Sequence, residues 1–208
     1  MVKLLFIISF LISSASFAHP TSYKYALAVM TWNQSFLSDS WVNYSFASDA
    51  AIAARATRMQ MPEGEFAAYF PQINYLVKRW NNPESQANIY AYAGYGGARF
   101  KEINGNAGLV GIEADAESRK WFVLGRWESM YSNLADPFHK AEFRLGVAPY
   151  EAEFNEIASW FMVQAQYHPG LTQKFVITPL YRMFYKSVLW ETGVSTKGDW
   201  MLNFMFHF

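Results

Sequence analysis

The chain has 208 residues, and its 17 Lys plus Arg balance 17 Asp plus Glu, so no basic face for nucleic acid is implied. Cysteine is absent, which is compatible with an oxidising compartment and decides little, and the length suits one domain. Aromatic residues reach 19%, yet the mean hydropathy is near zero, so apolar and polar residues alternate and do not cluster.

At the start, Lys3 precedes an apolar run over 4–12 and a small-residue stretch ending Ser16-Phe17-Ala18. This pattern reads as a secretory signal peptide, residues 1–18, cut before His19. The run is too short for a membrane-spanning helix, which needs about 20 apolar residues, and no later stretch supplies one. The remainder, 19–208, is expected to be a single domain whose first residues, His19 and Pro20, form a tail ahead of the first strand.

Alternation then predicts twelve strands separated by turn chemistry. They cover 23–33, 40–46, 51–59, 69–77, 87–100, 107–117, 121–131, 139–148, 159–168, 173–185, 188–196 and 200–208. The stretch Met61-Pro62-Glu63-Gly64-Glu65 breaks the pattern before the fourth. Gly94, Gly96 and Gly97 within the fifth point to a bend or close packing, since no helix follows to make a phosphate loop. The break near Lys186 is weak, so ten strands is the alternative count.

The last segment carries the most specific signal. Trp200, Leu202, Phe204, Phe206 and Phe208 fall on one face of a strand, while Asp199, Asn203 and His207 are interleaved with Met201 and Met205. This aromatic terminal strand resembles that of bacterial outer-membrane β-barrel proteins, where it is the assembly signal read by the outer-membrane assembly machinery. The resemblance implies an all-β fold, a transmembrane antiparallel up-and-down β-barrel of twelve strands, in the outer membrane of a Gram-negative bacterium and in contact with its lipid. An even strand count and aromatic girdles fit that architecture. The competing architecture, a soluble sandwich or lipocalin-like barrel, would place Trp160, Met162, Met201 and Met205 on its water-facing side.

By alternation the inward face of such a barrel takes Arg55, Lys78, Glu113, Asp115, Arg126, Glu128, Lys140, Glu142, Arg144, Lys174, Arg182 and Glu191. Both signs are present, whereas an ion-selective channel concentrates one. The expectation is a narrow, charge-paired lumen acting as a small pore or transport protein for small polar solutes. The alternative is a closed structural or binding barrel, with handling of copper or another metal as a further role.

An outer-membrane lipid hydrolase is less expected. No His-x-Ser pair occurs, His139 and His168 sit at strand ends where a solvated residue is the default, and His207 alternates with Phe206 and Phe208 near the periplasmic mouth, far from the outer leaflet. No catalytic residue, cofactor or nucleic-acid partner is therefore assigned. The metal candidates are His19, whose free amine after cleavage would chelate copper beside its imidazole, and Met201, Met205 and His207, which share one strand face and suit Cu(I).

Overall fold

The structure is a computed structural model that describes residues 19–153, 155–171 and 174–208; the expected signal peptide lies outside the described residues. Among the described residues, twelve strands follow one another and no helix intervenes. They are β1 (Leu27–Gln34), β2 (Leu37–Tyr44), β3 (Ala50–Met61), β4 (Gly64–Asn82), β5 (Ser85–Phe100) and β6 (Ile103–Ser118). Then come β7 (Trp121–Ser132), β8 (Phe138–Val147), β9 (Ala158–Tyr167), β10 (Phe175–Tyr185), β11 (Val188–Val194) and β12 (Trp200–His207). Each pairs antiparallel with the next, and β1 pairs with β12, so the sheet closes on itself. Closure gives every strand two neighbours and leaves no edge of unpaired backbone, which is what a sheet in lipid requires.

The count is twelve because the weak break near Lys186 is a tight turn. Lys186 adopts φ 54°, and Tyr185 pairs with Val188 across it. The stretch around Pro62 is likewise a tight turn closed by Gly64 at φ +144°, so β4 begins five residues earlier than its alternation signals. Gly94 and Gly96 lie on the inner face of β5, where a Cβ on Gly94 would come within 2.6 Å of the Phe70 ring. They are close-packing glycines.

Alternation sorts the side chains into two environments. Val42, Ile52, Ile73, Val110, Ile112, Phe143, Leu145 and Val163 stand exposed on the outer wall. Aromatic residues flank this band at both rims, Tyr44, Tyr75, Trp80 and Trp121 on one side and Tyr69, Tyr95, Tyr131 and Tyr167 on the other. A continuous apolar band of this extent is not tolerated on a soluble monomer; between aromatic girdles it is the surface of a membrane barrel. In β12, Trp200, Leu202, Phe204 and Phe206 point outward and Phe208, just past its end, is exposed as well, while Met201, Asn203, Met205 and His207 are buried inside.

The bore is filled in layers. Toward the mouth where β1 ends and β12 begins, Leu37, Met59, Phe66, Phe100, Met130 and Phe138 form an apolar cluster that Leu171 joins from a loop. A second cluster contains Phe122, Leu124, Trp160, Met162, Leu180 and Met201. The charged side chains lie in the same bore.

Candidate functional site: a charged belt and a plugged mouth

Five basic side chains (Arg55, Arg126, Lys140, Arg144, Arg182) and six acidic ones (Asp39, Glu113, Asp115, Glu128, Glu142, Glu191) are buried on the inner faces of the strands, none more than 7% exposed. Register joins some of them directly. Arg126 lies opposite Glu113 on β6 and Glu142 on β8. It donates from Nε to Glu113 Oε2 at 2.6 Å. Arg182 faces Glu191 in the same way, with Nε donating to Oε1 at 2.6 Å.

Two further pairs, Arg55 with Glu128 and Arg144 with Glu191, cross the bore between distant strands. Arg55 on β3 clamps Asp39 through Nε and Nη2, and its Nη1 reaches Glu128 Oε1 on β7 at 3.0 Å. Glu128 also receives Lys140 Nζ at 2.5 Å and the Tyr92 hydroxyl at 2.9 Å. Arg144 on β8 holds Glu142 through Nε at 2.8 Å and reaches Glu191 on β11 through Nη1 at 3.1 Å. Gln166 and Asn203 donate to Glu142 and Glu191 respectively. Out of water, such forked, multiply bonded pairs fix one geometry, and losing one partner strands the other.

Two of the expected lumen residues are elsewhere. Lys78 is exposed on the outer wall, because an irregularity in the β4–β5 pairing between Leu76 and Lys78 shifts the alternation by one residue. Arg79 turns inward in its place, donating to Asn88 Oδ1 at 2.7 Å and to the Tyr90 hydroxyl. Lys174 is exposed in the loop before β10, beyond the last pair, Phe175 with Tyr167, where alternation no longer sets its direction. Arg55, Glu113, Asp115, Arg126, Glu128, Lys140, Glu142, Arg144, Arg182 and Glu191 do meet inside. Asp39 was missed, although Leu37, Asp39, Trp41 and Asn43 alternate with Val42 and Tyr44, the signal that would have found it.

The first residues are not a tail outside the barrel. His19, Thr21 and Ser22 are buried in the mouth where β1 begins and β12 ends. Asn43 Nδ2 donates to Pro20 O at 2.9 Å, and Ser22 N donates to Ser45 Oγ at 2.9 Å. The His19 ring stacks on Tyr90, with Nδ1 3.2 Å from Asp115 Oδ2 and Nε2 3.7 Å from Glu117 Oε1. Burial by itself would lower the His19 pKa, but Asp115 and Glu117 together raise it to about 10. The soft-metal set does not assemble: Met201 packs in the second apolar cluster against Gln164, and Met205 in the first, beside His207. Met205 and His207, two apart, do meet, with Nε2 2.9 Å from Sδ, but Met201, four residues from Met205 on the same face, packs in the other cluster.

The remaining histidines also depart from solvated strand ends. His168 is fully buried, stacked on Phe138 and edge-on to Phe36. Burial, reinforced by Lys140, lowers it to about 4, so it is held neutral. His139 is half-buried on the outer wall, where register sets it opposite Ser129, whose Oγ is 2.6 Å from His139 Nδ1. Trp127 and Tyr131 cover that ring, and no carboxylate or amide side chain is bonded to it among the described residues. The pair lies across two strands, so a search for His and Ser close in sequence does not find it.

Closed sheet, apolar outer wall with two aromatic girdles and charged interior define a transmembrane barrel of the outer-membrane kind. Similarity to solved structures agrees. The KdgM porin in complex with disordered oligogalacturonate superposes with a TM-score of 0.52 at 10% identity, over 88% of this chain and 98% of that one. KdgM porin in a second structure gives 0.49 at 11% identity, over 87% and 98%. A loop-deletion mutant of OmpT, an outer membrane protein of Vibrio cholerae, gives 0.32 at 8% identity, over 88% and 97%. At such identities the likeness concerns the fold. No protein-family model and no curated protein matches the sequence.

Proposed function

We propose that the protein is an outer-membrane pore for small polar solutes whose bore is closed at rest by its own charged side chains. The observation that carries this reading is the belt itself, above all the Arg55–Glu128 and Arg144–Glu191 bridges that span the bore. A barrel needing only a filler would be at least as stable with apolar residues there, because buried ion pairs seldom beat well-packed hydrophobes. A polar bore is the wall of a pathway, and here it is drawn shut.

Twelve strands fall between the eight-stranded barrels that side chains fill and the 16–18-stranded porins with an aqueous channel. The near balance of signs separates this bore from one built for a polyanion such as the ligand in the KdgM porin complex, and favours sugars or zwitterions. In this reading residues 1–18 are removed on export, the end holding both termini faces the periplasm, and the outward aromatic face of β12 is what the assembly machinery binds.

Swelling of liposomes carrying the protein tests the proposal, with small sugars and zwitterionic amino acids as solutes. Glu142→Ala with Arg144→Ala removes one charge of each sign, while Arg126 keeps Glu113 and Glu191 keeps Arg182 and Asn203. About ten side-chain heavy atoms leave, opening on the order of 200 Å3, room for about six waters. Swelling should be slow for the wild type and several-fold faster for the double variant. If neither form passes any of these solutes, the barrel is not a pore.

A further inference from the structure

The pocket that receives His19 is built of more carboxylate than its neighbours satisfy. Glu113, Asp115 and Glu117 occupy alternate positions of β6 and so share its inner face. Glu113 and Asp115 each commit one oxygen: Glu113 Oε2 accepts from Arg126, and Asp115 Oδ1 accepts from Asn88 Nδ2 at 2.7 Å. Their other oxygens, Glu113 Oε1 and Asp115 Oδ2, are buried and accept no hydrogen bond, and the same holds for Glu117 Oε2 and for His19 Nε2. Asp115 Oδ2 lies 3.2 Å from His19 Nδ1 but outside hydrogen-bond geometry. Polar atoms left open in this way are costly, and here open carboxylate oxygens and an open imidazole nitrogen belong to residues that share one pocket. One donor atom from each of His19, Glu113 and Asp115 lies within 4.8 Å of the others.

We propose that His19, Glu113 and Asp115 form a binding site for one divalent first-row transition ion, of which Zn2+ is the simplest occupant, and that the ion fastens the N-terminal segment into the mouth of the barrel. Three nitrogen and oxygen donors with a fourth position for water are a complete set for Zn2+, whose bonds to them are about 2.0–2.2 Å. The triangle must contract by about 1 Å to reach such bonds, a shift that the non-strand segment carrying His19 can supply. An imidazole in the set disfavours Mg2+ and Ca2+, which take oxygen ligands. Asn88 and Arg126 hold the two carboxylates from behind and fix their direction, as outer-shell partners of metal ligands do. The site stands whether or not the bore conducts.

Calorimetric titration with Zn2+ of the protein purified in detergent and stripped with a chelator tests it. One Zn2+ per chain should bind, Mg2+ at the same concentration should give no heat, and His19→Gln and Asp115→Asn should each weaken binding at least tenfold. His139→Gln, on the outer wall, should bind as the wild type does. The heat-dependent gel mobility of a closed barrel shows that each variant has folded. Should a variant fail that check, Co2+ added to the wild type still decides: a visible absorption band displaced by Zn2+ supports the site, and its absence overturns it. Failure of the wild type to take up Zn2+, or equal affinity in His19→Gln, overturns it as well.

Discussion

Glu128→Gln is the perturbation that reports most sharply on whether the bore is dry. The substitution keeps size and shape but removes the charge that Arg55, Lys140 and Tyr92 share. Arg55 retains Asp39 and Gln72, so its loss is partial. Lys140, only 4% exposed, has Glu128 as its one ion-pair partner among the described residues. Stranding a buried ammonium costs about 3–5 kcal/mol, the range for breaking one side of a buried pair. Lys140→Met alone should cost less, about 1–2 kcal/mol, because Glu128 still has Arg55 and Tyr92 to bond. The double variant should then be more stable than Glu128→Gln, with a coupling of about 2–3 kcal/mol. Urea unfolding in lipid bilayers, followed by tryptophan fluorescence, measures all four forms. Costs below about 1 kcal/mol that simply add would mean both groups sit in water, the behaviour of solvated ion pairs, and the closed bore would be refuted.

Two other outcomes follow from the geometry. His168 is held neutral in the fold at about 4 but titrates near 6.5 unfolded, so its contribution is complete above pH 6.5 and is lost as pH falls toward 4, by up to about 3 kcal/mol; in His168→Leu, stability measured from pH 7 to 4 should lose that dependence. Phe208 is 70% exposed, and its strand-closing bonds with Leu27 come from the backbone. Phe208→Ala should therefore leave the stability of the refolded barrel within about 0.5 kcal/mol while sharply lowering the amount assembled in cells, and equal assembly of both forms would remove its role as a signal.

The architecture was legible because period-2 alternation is a local property: twelve segments, the outward terminal aromatics and most of the belt could be assigned one strand at a time. What failed depends on relations between strands. Nothing in Leu76-Val77-Lys78 announces the irregularity that turns Lys78 outward and Arg79 inward. Register alone makes Ser129 and His139 neighbours, and makes Arg126 the shared partner of Glu113 and Glu142. The folding of His19 into the mouth has no local pattern at all, since a short segment ahead of the first strand reads the same inside or outside a barrel. That is why the sequence offered His19 for metal through its free amine alone, with Met201, Met205 and His207 as a separate set, and did not bring His19 to Glu113 and Asp115.

Single-channel recording of the wild-type protein in planar bilayers tests the central claim most directly. With Arg55–Glu128 and Arg144–Glu191 spanning the bore, the conductance should be small and brief, with little preference between cations and anions. A steady conductance as large as that of an open 16-stranded porin, or strong selectivity for one sign, would contradict it.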